Sequence, residues 1–450
     1  MKKLLKFASA VFALLALACP VAGCGGDKGG GERKGGYIIP LYDESVEADI
    51  IAWGAPAPWK AAQDGMNEIA ECGINVIIPW GYDFGTNTAS AKQMLARAEI
   101  AGLKVIVTDT KLCNNEFEGG KLHLPSDTAN IKEYKNSPAF YGVHIVDEPE
   151  IGTWPALKAK YQDVNGLFPD KFNFVNINQK VPGFEAQARQ YMDLMTPVGL
   201  DHLSFDMYGL FGDGTIRDSF FRDRELISAV ARDYGVPAMD NIQVNGNTDG
   251  MHNGSGYADP GIPGLRWQMA VDMAFGYQKF LYYAYGHPDV RYEKLINSYG
   301  EKNMAWYNLQ TVTLEFREWD HVYMDFAANC KGTAVIPGSH GKTDWNLASL
   351  WRCLGPNDID GVKSIVSSEY LLMGIFKDGN GNKGFMVTNA TNPFEEKTAE
   401  FTMELDGGYD GVMIFKNGEN DIKDLQNGKL TLSLEPGEGN FLIPLTRAEK

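Results

Sequence analysis

Eight strand-like runs alternate with helical patterns in the first two thirds of this 450-residue sequence, and runs joined by tight turns fill the last third. The alternation is typical of a parallel sheet with crossover helices. Eight such units over roughly 290 residues fit a barrel of the usual size with insertions. We therefore predict an α/β fold, with a (β/α)8 TIM barrel over residues 37–332 and a C-terminal all-β sandwich over 333–450.

The predicted elements of the barrel follow the apolar periodicity and the turn residues. The strands are expected at 49–53, 75–80, 103–108, 142–146, 171–176, 202–207, 237–243 and 279–284. The helices are expected at 59–72, 90–102, from 153 onward, 185–195, 220–234, 265–277 and 301–326. Ser90 is a suitable N-cap, Pro155 fits a first helical turn, and Gly235 fits a helix end.

After Lys331 the pattern changes. Long helical periodicity is absent, and turn signals recur at Asp378-Gly379-Asn380-Gly381, Asp406-Gly407-Gly408 and Asn417-Gly418. Such glycine-containing turns are typical of hairpins. This texture predicts a β-sandwich that forms a domain separate from the barrel.

The N-terminus carries an export signal. Basic residues at the start precede a short apolar run, and Val21-Ala22-Gly23-Cys24 follows. The pattern resembles a bacterial lipobox, which implies removal of the signal and lipidation of Cys24; a simple cleaved secretory peptide is the alternative. Residues 25–36 are glycine-rich and predict a flexible tether. We expect a lipid-anchored protein of the cell envelope.

The composition of the sequence limits the classes of partner and cofactor that we expect. The formal net charge of −17 disfavours nucleic acid and anionic lipid, so the expected membrane contact is the lipid anchor alone. The cysteines beyond Cys24 show no metal-ligand spacing, the seven histidines are scattered, and no cofactor fingerprint occurs, so we expect neither metal nor cofactor. Aromatic residues make up 12% of the chain and suit either a large core or stacking on sugar rings.

Polar and aromatic residues end most of the predicted strands, where barrel active sites lie. One such residue alone more often caps a loop, but the set collects carboxylates, amides and aromatic rings on one rim. Carboxylates supply acid/base chemistry at a glycosidic bond, and amides and rings bind sugars. The set is Trp53, Trp80, Tyr82, Asp83, Asp109, Asp147, Glu148, Asn176, Asn178, Asp206, Tyr208, Asn241, Gln243, Tyr283 and Tyr285.

Side chains alternate between the two faces of a strand, and this alternation indicates which acidic residues point into the barrel. Asp206 shares the inward phase of its strand, whereas Asp240 has the phase of the apolar, outward residues of its own. Glu148 is expected to point inward with His144 and Val146. We therefore predict Glu148 and Asp206 as the catalytic pair.

The segment Tyr141-Gly142-Val143-His144-Ile145-Val146-Asp147-Glu148-Pro149 resembles the fourth strand of barrel glycoside hydrolases related to clan A. Arg266-Trp267-Gln268 and the strand that follows are similar to segments of family 42-like enzymes, as is the Glu435–Gly439 ending. The resemblance implies a glycoside hydrolase acting on a carbohydrate, with Glu148 as acid/base.

One position departs from that pattern. Clan A enzymes carry a nucleophilic Glu at the end of strand seven, where this sequence has Gln243. Asp206 is our candidate partner, as nucleophile or base; a carboxyl separation of about 5 Å would predict retention and ~6.5–9.5 Å inversion. The second hypothesis is a cell-surface glycan-binding barrel without catalytic activity.

Overall fold

The computed structural model describes residues 31–79, 81–113, 131–178, 184–247, 256–286, 295–340, 347, 350 and 352–448. Within them, a closed barrel of eight parallel strands precedes two antiparallel sheets. The predicted fold class is confirmed. On the N-terminal side of the barrel, β1 (Gly31–Lys34) and β2 (Tyr37–Pro40) form a hairpin. Residues 31–34, which belong to the predicted tether, therefore pair as a strand. The turn uses Gly35 and Gly36, both at positive φ.

The barrel strands match the predicted order. They are β3 (Asp49–Trp53), β4 (Val76–Ile78), β5 (Lys104–Val107), β6 (Phe140–Asp147), β7 (Phe174–Asn178), β8 (Leu203–Asp206), β9 (Ala238–Gln243) and β10 (Lys279–Tyr283). β10 pairs with both β9 and β3, which closes the barrel. The carboxyl ends of all eight strands therefore face one mouth.

Helices surround this barrel. They are α1 (Gln63–Glu71), α2 (Thr88–Ile100), α3 (Ile131–Tyr134), α4 (Trp154–Leu167), α5 (Phe184–Met195), α6 (Phe220–Tyr234), α7 (Gly261–Phe275), α8 (Met304–Arg317) and α9 (Asp320–Ala327). The N-cap of α2 is Asn87, whose side chain accepts the Ser90 N–H over 3.2 Å, so the predicted Ser90 cap was wrong. None of the helices in the described ranges combines the length and apolar character needed to cross a bilayer.

The predicted long helix at 301–326 is two helices, α8 and α9. The chain leaves the helical conformation at Trp319, where φ is −144°. The Trp319 ring stacks on Phe441 of the C-terminal domain, with centroids 6.1 Å apart. Burial of this large ring against the neighbouring domain accounts for the break, which helical periodicity alone does not reveal.

The C-terminal strands form a six-stranded sheet, in the order β11-β13-β14-β19-β16-β17, and a three-stranded sheet, β12-β15-β18. The strands are β11 (Cys330–Ile336), β12 (Val362–Ser367), β13 (Leu371–Lys377), β14 (Lys383–Asn389), β15 (Ala399–Leu405), β16 (Gly411–Lys416), β17 (Glu419–Asp424), β18 (Lys429–Leu434) and β19 (Gly439–Leu445). A separate apolar core fills the space between the two sheets. The larger sheet packs its other face on the barrel so closely that a Cβ on Gly374 would lie 2.3 Å from the Ala274 carbonyl oxygen.

Candidate active site

Side chains fill the barrel axis below the mouth. Trp53 lies edge-on to His144, with ring centroids 4.9 Å apart, and also contacts Phe174 at 6.2 Å. Phe174 stacks in turn on the buried His202 ring. This layer closes the barrel, so the polar residues above it form the floor of a cleft.

Asn176, at the centre of β7, is hydrogen-bonded to side chains on three other strands, β6, β8 and β9. Its Oδ1 accepts hydrogen bonds from Ser204 Oγ at 2.9 Å and Asn241 Nδ2 at 3.0 Å. Its Nδ2 donates to Asp147 Oδ1 at 3.1 Å and Asp206 Oδ1 at 3.4 Å. The buried Asn176 amide therefore fixes the positions of both carboxylates.

The backbone that places Glu148 near Asn176 is irregular. The register of β6 against β7 shifts between His144 and Val146, and Val146 packs with the apolar cluster that includes the helix-facing residues. The predicted inward phase of Val146 was therefore wrong. Glu148 has a φ of +45°, and its N–H donates to the Asn176 carbonyl oxygen over 2.9 Å. A positive φ at a residue other than glycine is strained and is concentrated at functional sites.

Glu148 lies close beside Asp206, and its charge is the strongest influence on the Asp206 carboxyl after burial. Burial raises the pKa of Asp206 well above its usual range, and the nearby charges of Glu148 and Asp147 raise it further. The hydrogen bond from Asn176 opposes this shift. Like charges this close favour the state in which one proton is shared, so the pair combines one acid and one carboxylate.

Aromatic rings stand beside this carboxyl pair. Tyr208 stacks on Tyr283 with centroids 5.2 Å apart, and Tyr257 meets Tyr208 edge-on at 5.5 Å. Tyr283 also contacts Trp53, at 6.3 Å. These rings link the acids to a cavity of about 350 Å³ on the β3–β5 side of the mouth.

Trp53, half-buried Tyr82 and His144 line that cavity. Burial lowers the pKa of His144 to about 4, and the positive charge of Lys160 lowers it as well. His144 is therefore neutral at physiological pH. Its Nε2 is buried and, within the described residues, has no hydrogen-bond partner.

Two of the predicted acids cap loops. Asp83 accepts hydrogen bonds from the Gly85 and Thr110 N–H groups and from the hydroxyls of Thr86 and Thr110. Asp109 is only 1% exposed and accepts from Lys111 N, Leu112 N and the Tyr134 hydroxyl. These contacts assign both carboxylates to loop structure, although Asp83 also borders the cavity.

Gln243 and Tyr285 also differ from the expectation that they bind substrate. The Gln243 amide accepts from Leu210 N and donates to the carbonyl oxygens of Leu210 and Ala258, all within 3.2 Å. It therefore ties two loops together. Tyr285 is 1% exposed, and its hydroxyl accepts from the Trp306 indole N–H.

The remaining predicted residues are Asn178, Asn241, Trp80 and Cys24. Asn178 ends β7, half-buried and in register with Asp206. Asn241 is buried, and its Oδ1 has no hydrogen-bond partner among the described residues. Trp80 and Cys24 lie outside the described residues.

Sequence reasoning did not select His144, Ser204 or Tyr257 as site residues. The two-residue alternation within β6 and β8 could have drawn attention to His144 and Ser204. Tyr257 lies in the loop after β9, where no periodic signal exists. Among the described residues, no group of three or more His, Cys, Asp and Glu side chains is arranged to hold a metal ion.

No protein-family model and no curated protein sequence matches this chain. Its fold is similar to that of solved glycoside hydrolases. A candidate alpha-galactosidase/melibiase from Bacteroides fragilis is 10% identical, with a TM-score of 0.50 over 90% of this chain and 81% of that one. A family 5 glycoside hydrolase from Bacteroides vulgatus is 11% identical, with a TM-score of 0.49 over 92% and 91%. A family 30 xylanase from Clostridium acetobutylicum is 11% identical, with a TM-score of 0.46 over 88% and 95%. At these identities the likeness concerns the fold.

Proposed function

We propose that this protein hydrolyses glycosidic bonds of an oligo- or polysaccharide, using Glu148 and Asp206 as the catalytic pair. The observation that carries the proposal is the close approach of these two carboxyls at the barrel mouth, where each influences the other's protonation. Two carboxyl groups in different protonation states are what glycoside hydrolysis requires. The Tyr208–Tyr283 stack beside them offers ring faces for a sugar.

The two roles follow from the raised pKa of Asp206. Its burial and the neighbouring carboxylates favour the protonated form of Asp206, which supports Asp206 as the general acid. Glu148 then acts as the carboxylate, either as nucleophile or as base. This assignment reverses the one that the family resemblance implies. The contact of the two carboxyls is closer than the ~6.5–9.5 Å that a water-mediated inversion uses and nearer the ~5 Å of retaining enzymes, which supports retention.

A glycan panel tests the activity, with released sugars and the first-formed anomer followed by NMR. On the sugar so identified, aryl glycosides with good and poor leaving groups test the roles. Asp206→Asn should lose activity mainly on poor leaving groups, because only these need a proton. Azide should rescue Glu148→Ala with a glycosyl azide of inverted configuration. Rescue of Asp206→Ala in that manner, in place of Glu148→Ala, would reverse the assignment.

A second candidate is a glycan-binding barrel without turnover. The observation in its favour is that Gln243, at the end of β9, is held by backbone groups and supplies no carboxylate. This candidate predicts that a glycan binds with equal affinity to the wild type and to Glu148→Gln, and that no product forms. The same panel therefore separates the two.

We also propose that the protein is exported and anchored to the cell envelope through Cys24. The Val21-Ala22-Gly23-Cys24 motif after a short apolar run supports this. Mass spectrometry of the mature N-terminus tests it. A diacylated Cys24 is expected, and an unmodified terminus beyond Cys24 would contradict the anchor.

A further inference from the structure

The two sheets of the C-terminal sandwich differ in size, six strands against three. The β16–β17 hairpin lies at one edge of the larger sheet. Its residue pairs include Ile414 with Asp421 and Lys416 with Glu419. Ile414 belongs to the core between the sheets, so the residues in phase with it face the smaller sheet. Charged side chains therefore occupy a sheet face that is apolar elsewhere in the sandwich.

A groove of about 530 Å³ lies between this face and β18. Its volume falls within the ~300–1,000 Å³ of typical ligand pockets. Ile414 and Leu432 supply its apolar lining, and Glu419, Asp421 and Lys423 are among its polar side chains. Among the strands of the described residues, β18 pairs only with β15, so its other edge offers unpaired backbone donors and acceptors to the groove.

Asn440 is the observation that points to a ligand. It lines the groove from β19 and is 1% exposed. Its Oδ1 is buried and has no hydrogen-bond partner in the described part of the chain. A buried acceptor without a donor destabilises the fold, whereas an apolar residue of the same shape would not. The presence of Asn440 at a position where it destabilises the sandwich is explained if a hydrogen-bond donor of a bound ligand pairs with its Oδ1.

The charged residues of the groove indicate which class of ligand would supply this donor. Glu400, Glu419 and Asp421 outnumber Lys416 and Lys423, and Lys416 is already paired with buried Glu438 at 2.8 Å. The excess of carboxylates disfavours an anionic ligand. Carboxylates and an amide oxygen accept hydrogen bonds from hydroxyls, and the apolar lining suits the C–H face of a sugar ring.

We propose that this groove is a second carbohydrate-binding site, for a neutral oligosaccharide, separate from the barrel mouth. It holds the glycan without reacting with it and does not depend on the proposed hydrolysis. An extended peptide that pairs with the β18 edge is the competing occupant. The charged β17 strand opposite is typical of an edge protected from such pairing.

Hydrogen exchange with mass spectrometry on the full chain tests the proposal, because it measures protection of groove peptides and of barrel peptides separately. The probes are cellohexaose, xylohexaose, mannohexaose and maltohexaose, each added to the Glu148→Gln protein so that none is consumed. At least one should protect peptides within residues 411–434. Ser433→Trp, at the exposed groove wall, should weaken that protection by about tenfold or more. Val366→Trp, on exposed β12 at the far edge of the same sheet, is the matched control.

Asn440→Leu adds an independent readout. It should keep or raise the melting temperature, since it removes a buried unpaired acceptor, and it should lose the same protection. The proposal is overturned if no hexaose protects residues 411–434 in the folded protein, or if Ser433→Trp behaves as Val366→Trp does. It is also overturned if a strand-forming peptide, and no hexaose, protects β18.

Discussion

Asn241 donates a hydrogen bond to Asn176 Oδ1 over 3.0 Å, so β9 supports the acids through β7 and contributes no carboxylate of its own. Gln243 stands at the strand end where clan A barrels carry an acid, and its side chain is bound to backbone carbonyl groups. The proposed chemistry of this site therefore rests on the ends of β6 and β8, which lie on either side of β7.

Glu148→Gln should reduce turnover by at least about 10²-fold, the lower end for loss of a general base, and leave glycan affinity nearly unchanged, because the amide keeps the shape but carries no charge. Activity and binding are measured beside the melting temperature. Glu150→Gln, an exposed change two residues away, is the control and should behave as wild type. Wild-type turnover in folded Glu148→Gln would remove Glu148 from the mechanism.

Asp206→Asn should make the protein more stable at pH 7 than the wild type. Folding raises the pKa of Asp206 above its ordinary 3.8, so the folded state binds more protons and its stability falls as pH rises from 3.8 through the raised pKa. Asn does not titrate and avoids this loss. Melting temperatures across pH should show the gain shrinking below about pH 3.8. A gain that is independent of pH would contradict the raised pKa.

Gln243→Glu should destabilise the protein by at least about 2 kcal/mol and create no new activity. A carboxylate cannot donate to the carbonyl oxygens of Leu210 and Ala258, and it would place a charge in a buried site. Denaturant unfolding measures the change, with Gln190→Glu on the exposed face of α5 as control. Increased turnover would show that this strand end reaches the substrate.

Asp83→Ala should cost roughly 1–3 kcal/mol, because it leaves backbone and hydroxyl donors of the Thr110 loop without their acceptor. Partial burial raises the pKa of Asp83, but the hydrogen bonds from Thr110 and Thr86 outweigh it and lower the pKa. The cost is therefore full above pH 3.8 and shrinks as pH falls through the lowered pKa. Unfolding at several pH values measures it against Asp170→Ala, an exposed control. A pH-independent cost would exclude the carboxylate as its source.

The helix and strand pattern of the barrel could be predicted because it is local. Strand β3 at Asp49–Trp53 and helix α6 at Phe220–Tyr234 fall where apolar periodicity and the Gly235 signal predict them. The inward phase of Asp206 followed from simple alternation, since β8 pairs with β7 without irregularity. In β6 the register shift between His144 and Val146 breaks that alternation, so Val146 could not be placed from the sequence.

By itself, the sequence determined the eight-stranded barrel, the β-sandwich after it and the pairing of acids on β6 and β8 as a hypothesis. Only the tertiary structure decided which strand-end side chains bind loop backbone and which lie together at the barrel mouth. Asp83, Asp109 and Gln243 satisfy backbone groups of loops, whereas Glu148 and Asp206 meet each other. The reason is physical: a polar side chain at a strand end binds whichever group lies near it. Its neighbours come from chain segments far away in the sequence.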